Sequence, residues 1–240
     1  MKTHRPHHSS PALGLVLLAL AIPAYASGDA ETAPPRLLHE IFQDHAVLQR
    51  DVPIPVWGAA RAGERISVTI GAQTVDAQTD PSGHWRIVLP AMHAGGPFAL
   101  QIRTASGQRQ SIGDILVGDV FLCSGQSNME FAVRGSLNAA REIAASKNDT
   151  IRLLTVAHAS HPAPQAHFQA PVAWSAASPA TVGDFSAACY YFARDLQKSL
   201  GTQVPVGLIH ASWGGSRIEP WLSDAGLRSV GAFDARLDLL

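Results

Sequence analysis

The segment Ile115-Leu116-Val117-Gly118-Asp119-Val120-Phe121-Leu122-Cys123 most narrows the folds open to this chain. A nearly unbroken apolar run of strand length suits a strand buried on both faces of a parallel sheet, because a strand with one wet face alternates. Further on, Phe185, Cys189, Phe192, Leu196 and Leu200 recur at steps of three and four. With Asp184 or Ser186 as cap and Gly201 as stop, they predict a helix. Val204 to Ile209 then reads as a second buried strand. Strand, helix, strand is the unit of an α/β sheet, whose ligands sit beyond the carboxyl ends of its strands. Two stretches are thereby marked as candidate sites: the residues just after Cys123 and those just after Ile209.

The first half of the chain is written differently. Ile54-Pro55-Val56-Trp57, Ile66 to Ile70, Trp85 to Leu89 and Phe98 to Ile102 are short alternating runs. The turn chemistry between them lies at Ala62-Gly63-Glu64, Asp80-Pro81-Ser82-Gly83 and Ala94-Gly95-Gly96-Pro97. Regular strand spacing without a helical period predicts a small antiparallel β-sandwich ahead of the α/β portion.

Charged residues make up 15% of the 240 residues, against roughly 25% in typical soluble domains. The 18 Lys plus Arg nearly balance the 19 Asp plus Glu, which argues against a disordered tail or an electrostatic nucleic-acid binder. Two cysteines exclude a disulfide-stapled mini-fold and a Cys-rich zinc module. At the N-terminus Lys2, His4, Arg5, His7 and His8 precede the uncharged stretch Ala12 to Ile22 and the small-x-small site Ala24-Tyr25-Ala26. This is the pattern of a cleaved secretory leader over residues 1–26, with a mature start near Ser27. The apolar stretch is shorter than the roughly 20 residues a membrane span needs, so an uncleaved anchor is the lesser alternative. Losing Lys2 and Arg5 with the leader takes 18 basic residues to 16 against 19 acidic ones, and the net charge from −1 to −3. The leader implies a periplasmic or secreted location, with no membrane association after cleavage. There Cys123 and Cys189 are either a disulfide or two buried thiols.

The chemistry-bearing residues lie at the two marked positions. After the first buried strand comes Ser124-Gly125-Gln126-Ser127-Asn128-Met129-Glu130. A serine on a sharp strand-to-helix turn projects its hydroxyl above the sheet, and its own N–H can aim at a developing oxyanion. The same serine could equally be a helix cap. After the second strand comes His210-Ala211-Ser212-Trp213-Gly214-Gly215-Ser216-Arg217-Ile218-Glu219-Pro220-Trp221. Its glycines can present N–H groups to an anion, and Trp213 and Trp221 can wall a sugar-sized pocket; the plainer alternative is a turn between core tryptophans. The stretch from Ala157 to Pro171 holds His158, His161 and His167. Pro162 and Pro164 argue against the helix that a His-x-x-His metal site would need, so the stretch reads as an irregular surface loop.

Val120 to Glu130 and Trp213 to Trp221 together resemble bacterial sialate O-acetylesterases of the SGNH hydrolase superfamily, close to acetylxylan esterases. The resemblance extends back through Val47-Leu48-Gln49-Arg50, Val56-Trp57-Gly58, Gly83-His84-Trp85 and Gly95-Gly96-Pro97. It implies an SGNH-type, flavodoxin-like α/β hydrolase core over residues 118–240, incomplete here, preceded by the β-sandwich at 27–117. It also implies that Ser127 is the nucleophile and one oxyanion donor, that Gly214 or Gly215 is the glycine donor, and that an acyl-serine forms. Gln126, Asn128, Trp213, Arg217 and Trp221 become candidate contacts to an acetylated carbohydrate, with no metal or organic cofactor. An anionic sugar such as sialic acid would need a cation such as Arg134 or Arg217, whereas plant-polysaccharide fragments would not.

The sequence departs from that family in one respect. Such enzymes carry a Gln-Gly-Glu segment and an Asp-x-x-His supplying base and orienter. None of the 11 histidines here stands three residues after an aspartate, and no Gln-Gly-Glu occurs. The chain is therefore expected to be the N-terminal part of a longer esterase, with Arg236-Leu237-Asp238-Leu239-Leu240 reading as an element cut in mid-course. A serine without a base is a poor nucleophile, and His210 is the one nearby candidate substitute. The alternative function is a non-catalytic carbohydrate-binding module.

Overall fold

The apolar run lies within one 17-residue strand, Arg109–Gly125, along which the other elements are arranged. The structure, a computed structural model, describes Met1 and residues 36–201 and 203–238; the expected leader over residues 1–26 lies, Met1 apart, outside the described residues. The strands are β1 (Val47–Gln49), β2 (Ile54–Ala59), β3 (Arg65–Ile70), β4 (Gln73–Gln78), β5 (His84–Leu89), β6 (Gly95–Thr104), β7 (Arg109–Gly125), β8 (Asn148–Thr155), β9 (Ser175–Ala177) and β10 (Val206–Ser212). The helices are α1 (Ser127–Glu130), α2 (Ala139–Ala144), α3 (Ala187–Leu200), α4 (Asp224–Val230) and α5 (Asp234–Leu237). Among the described residues no helix is long and apolar enough to cross a membrane.

One mixed sheet has the order β4-β3-β6-β7-β10-β8-β9, and β1 also pairs with β7; β2 and β5 form a separate two-stranded ladder. The first part of β7 runs antiparallel to β6, and its last seven residues run parallel to β10. The boundary expected between residues 117 and 118 therefore falls inside a strand, and β3 and β6 share their sheet with the parallel strands. The described residues from Arg36 onwards form one compact unit. Ile54, Val56, Trp85, Ile87 and Leu89 of the β2/β5 ladder share an apolar cluster with Ile66, Val68, Ile70, Leu100 and Ile102.

The chain crosses position 118 without turning because Gly118 lets another segment in. A Cβ there would lie 2.0 Å from the Pro205 carbonyl oxygen, and that oxygen accepts the Asp119 N–H at 2.9 Å. Asp119, the one charge in the apolar run, is neutralised by Arg50, whose Nε and Nη2 donate to its two carboxylate oxygens at 2.9 and 3.1 Å. Beside it Gln49 Oε1 accepts the Val120 N–H at 2.8 Å. Residues Ile115 to Gly118 are buried as expected of a strand covered on both faces. Leu122 is 68% exposed, because it points to the face opposite Cys123, which is bonded to α3.

The parallel strands divide their side chains by period two. Ile151, Leu153, Val206 and Leu208 pack under α3, while Leu154 and Ile209 face the cluster containing Val172 and Trp174. Ser186 caps α3, accepting the Cys189 N–H at 3.2 Å. The buried stripe of α3 is Ala187, Cys189, Tyr190, Ala193 and Gln197, shifted from the expected Phe192 and Leu196. Small residues let the helix approach the sheet, and Gln197 is tolerated inside because Asn148, Thr150 and the Val204 carbonyl satisfy its amide. Phe192 lies outside, edge-on to Phe121. β10 starts at Val206, two residues later than expected, since Pro205 has no N–H for a ladder. Cys123 and Cys189 form a disulfide that ties the end of β7 to α3.

Gly118→Ala should destabilise the protein by about 3 kcal/mol or more in urea denaturation, because the new methyl meets backbone rather than a movable side chain. A second expectation concerns Glu64, whose carboxylate accepts the Ser106 N–H at 3.0 Å and is held down at a pKa of about 2 by the Ser106 side chain and N–H. A depressed carboxylate pKa stabilises the fold above its unfolded value of about 4.3 and loses that effect as pH falls toward 2. Glu64→Gln should therefore be the less stable form at pH 7, with the gap to wild type closing between pH 4 and pH 2.

Candidate functional site

β7 and β10 run parallel and in register, with Cys123 opposite His210, Ser124 opposite Ala211 and Gly125 opposite Ser212. The chain therefore leaves the sheet at the same level from both strands, and the Trp213 N–H donates to the Gly125 carbonyl at 2.9 Å. Gly125 has φ 141°, a value that side-chain-bearing residues avoid, and this bends the chain from β7 into α1. Gln126 occupies the N-cap, and Ser127 is the first helical residue rather than the cap. The Ser127 hydroxyl is exposed and donates to Gln126 Oε1 at 3.1 Å; Asn128 beside it is exposed too. Among the described residues no acceptor meets the Ser127 N–H.

The two candidate glycines differ. Gly214 presses against α1: a Cβ there would lie 3.6 Å from Ser127 Cα and 2.3 Å from Glu130 Oε2. Its N–H donates to that carboxylate oxygen at 2.6 Å and is thereby committed. Gly215, with φ 77°, stands in open space, and its N–H has no acceptor among the described residues. The tryptophans part as well. Trp221 lines a cleft of about 490 Å³ with Ser124, Gly125, Gln126, Arg217 and Ile218. Its indole N–H donates to Ser216 Oγ at 2.9 Å, and Ser216 Oγ donates to the Trp213 carbonyl at 2.6 Å. Trp213 instead stacks on His158, with ring centroids 4.5 Å apart and planes 5° from parallel. The expected single pocket walled by both indoles is thus one cleft beside Trp221, with Trp213 packed on a loop histidine.

His158 is the residue that sequence reasoning left in a surface loop. Its Nε2 lies 2.8 Å from Glu130 Oε1 and 3.0 Å from the Ser212 carbonyl. No sequence spacing announces it, since it stands 28 residues after Glu130 and 54 before Ser212. The one legible hint was Glu130, three residues after Ser127 and so on the same side of a helical turn. His210, the candidate substitute base, is 6% exposed and packs edge-on against Phe185, with Nε2 on Ser212 Oγ and Nδ1 buried without a partner. Burial pushes its pKa down, and it makes no hydrogen bond to Ser127. Of the two candidate cations, Arg134 pairs with Asp184, whereas Arg217 faces the cleft.

His167 joins His39 and Glu40 rather than His158 or His161, and ligand atoms of the three lie within 4.8 Å of one another. The His39 ring is already spoken for. Its Nδ1 accepts the Ile41 N–H at 3.2 Å and its Nε2 donates to the Ala166 carbonyl at 2.9 Å, leaving no lone pair for an ion.

An exposed serine hydroxyl, uncommitted N–H groups at Ser127 and Gly215, and a cleft with an indole and a guanidinium make an arrangement suited to acyl transfer from a sugar-sized ester. Comparison with known proteins points the same way. The family model for sialic acid-specific acetylesterases, a group of carbohydrate esterases, matches residues 117–233. The sialate O-acetylesterases of Mus musculus and Homo sapiens are 30% and 32% identical to the chain, over 94% and 91% of it and 44% of each relative. The crystal structure of a carbohydrate acetylesterase from Xanthomonas citri is 36% identical with a TM-score of 0.77, over 86% of this chain and 46% of that one. The chain spans less than half the length of these relatives. On the family match and these likenesses together, the chain belongs to the sialic acid-specific acetylesterase family of carbohydrate esterases.

Proposed function

We propose that the chain carries the nucleophile and oxyanion side of an esterase that removes O-acetyl groups from sugars through an acyl-serine. The observation that carries this reading is the side-by-side exit of the Ser127 and Gly215 turns from in-register parallel strands. Ser127 Oγ attacks the acetyl carbonyl carbon, and the carbonyl oxygen becomes an oxyanion received by the Ser127 and Gly215 N–H groups. The sugar oxygen departs with a proton, and water then cleaves the acyl-serine to release acetate. Trp221 offers a face for the sugar ring, with Gln126 and Asn128 as flanking polar groups. Arg217, which has no ion-pair partner among the described residues, favours an anionic sugar of the sialic acid type over neutral plant-polysaccharide fragments. We further propose a periplasmic or secreted protein with a leader over residues 1–26.

The base is the missing part, since none of the described histidines hydrogen-bonds Ser127. The 240-residue chain should accordingly hydrolyse 4-nitrophenyl acetate no faster than its Ser127→Ala variant. With imidazole supplied as a soluble base, acetate release from an O-acetylated sugar should rise above the imidazole background in the wild-type chain and stay at background in Ser127→Ala. Equal rescue of both proteins would remove Ser127 as nucleophile. Sugar binding that survives Ser127→Ala, with no rescue in either, would leave a carbohydrate-binding module instead.

A further inference from the structure

Ser127 opens α1 and Glu130 closes it three residues later. The Glu130 carboxylate divides its oxygens between two other segments: Oε2 accepts the Gly214 N–H at 2.6 Å and Oε1 lies 2.8 Å from His158 Nε2. That nitrogen also faces the Ser212 carbonyl at 3.0 Å. Two acceptors on one nitrogen require it to carry the proton, so the imidazole is fixed as an Nε2–H donor. Its flat face then covers the Trp213 ring. The serine helix, the loop after β8 and the turn after β10 thus meet at a single carboxylate.

We propose that Glu130 and His158 are positioning residues that clamp the Trp213–Gly215 turn against α1 and so set where the Gly215 N–H stands relative to the Ser127 oxygen. This rests on the esterase reading of Ser127. Two successive glycines make the turn costly to order, and the space a side chain at Gly215 would fill is open. Hydrogen bonds to an ionised carboxylate are about twice as strong as neutral ones, which suits Glu130 to the task. The side chains of Glu130 and His158 are 34% and 44% exposed. A pair that wet contributes little to folding stability, so its effect belongs to geometry. The titratable groups bearing on His158 are Glu130 of α1 and His210 of β10.

Tryptophan emission tests the clamp in the full 240-residue chain without relying on turnover. The His158 ring shields the Trp213 indole by stacking on it, so acrylamide quenching of the emission should increase in Glu130→Gln, where the turn is released. The increase should be missing when the same change is made in Trp213→Phe. In parallel, labelling of Ser127 by a fluorophosphonate in imidazole buffer should fall roughly tenfold or more in Glu130→Gln and His158→Phe, since a misplacement of about 1 Å can cost a hundredfold. The double variant should be no slower than the slower single one, and the melting temperatures should stay close to wild type. Unchanged acrylamide quenching in Glu130→Gln, an increase that persists in the Trp213→Phe background, or full labelling of both single variants would overturn the proposal. If the quenching behaves as stated while the wild type resists labelling, the clamp stands and the serine reading falls.

Discussion

The in-register parallel ladder between β7 and β10 is the constraint on which the site depends. A parallel pair gives each strand the same direction and level at its carboxyl end, so the turn leaving one strand emerges beside the turn leaving the other. Seven consecutive pairings from Asp119 to Gly125 hold that level, and the contact between the Trp213 N–H and the Gly125 carbonyl extends it one residue into the turns. The ladder exists because Gly118 admits the Pro205 carbonyl where the two strands begin to pair. A side chain at that point would pry the strands apart at the end opposite the site.

The polar groups around Gly118 obey the same logic. Asp119 would be an unpaired charge within an otherwise apolar strand, and Arg50 meets it with both arms of its guanidinium. Gln49 fills the neighbouring backbone position. The run Val47-Leu48-Gln49-Arg50 thus acts as a strand on one side and as a polar plug on the other.

What could be read from the chain was what local chemistry determines. The helix after Ser186 and the serine turn each depend on residues within a few positions and appear where the pattern placed them, and the apolar run is a strand, though covered on both faces only as far as Gly118. The continuity of β7 through Gly118 could not be read, because the partner that makes it possible, Pro205, is remote in sequence. The three-and-four spacing places Phe192 inward, whereas the sheet chose the small residues Ala187 and Ala193 and a satisfied Gln197. His158 and the committed N–H of Gly214 were hidden for the same reason: each is defined by Glu130, which reached them only after the fold brought three segments together.

The disulfide between Cys123 and Cys189 has a bearing on how such a chain can vary. The two cysteines are 66 residues apart, and everything from the serine turn through β9 to the start of α3 lies within the covalent ring they close. The entropy of closing a ring grows only with the logarithm of its length. Residues can therefore be added to or removed from the irregular stretch between His158 and Pro171 at little cost, while the two anchor points stay fixed. Length change is absorbed inside the ring, and the strand end that presents Ser127 is insulated from it.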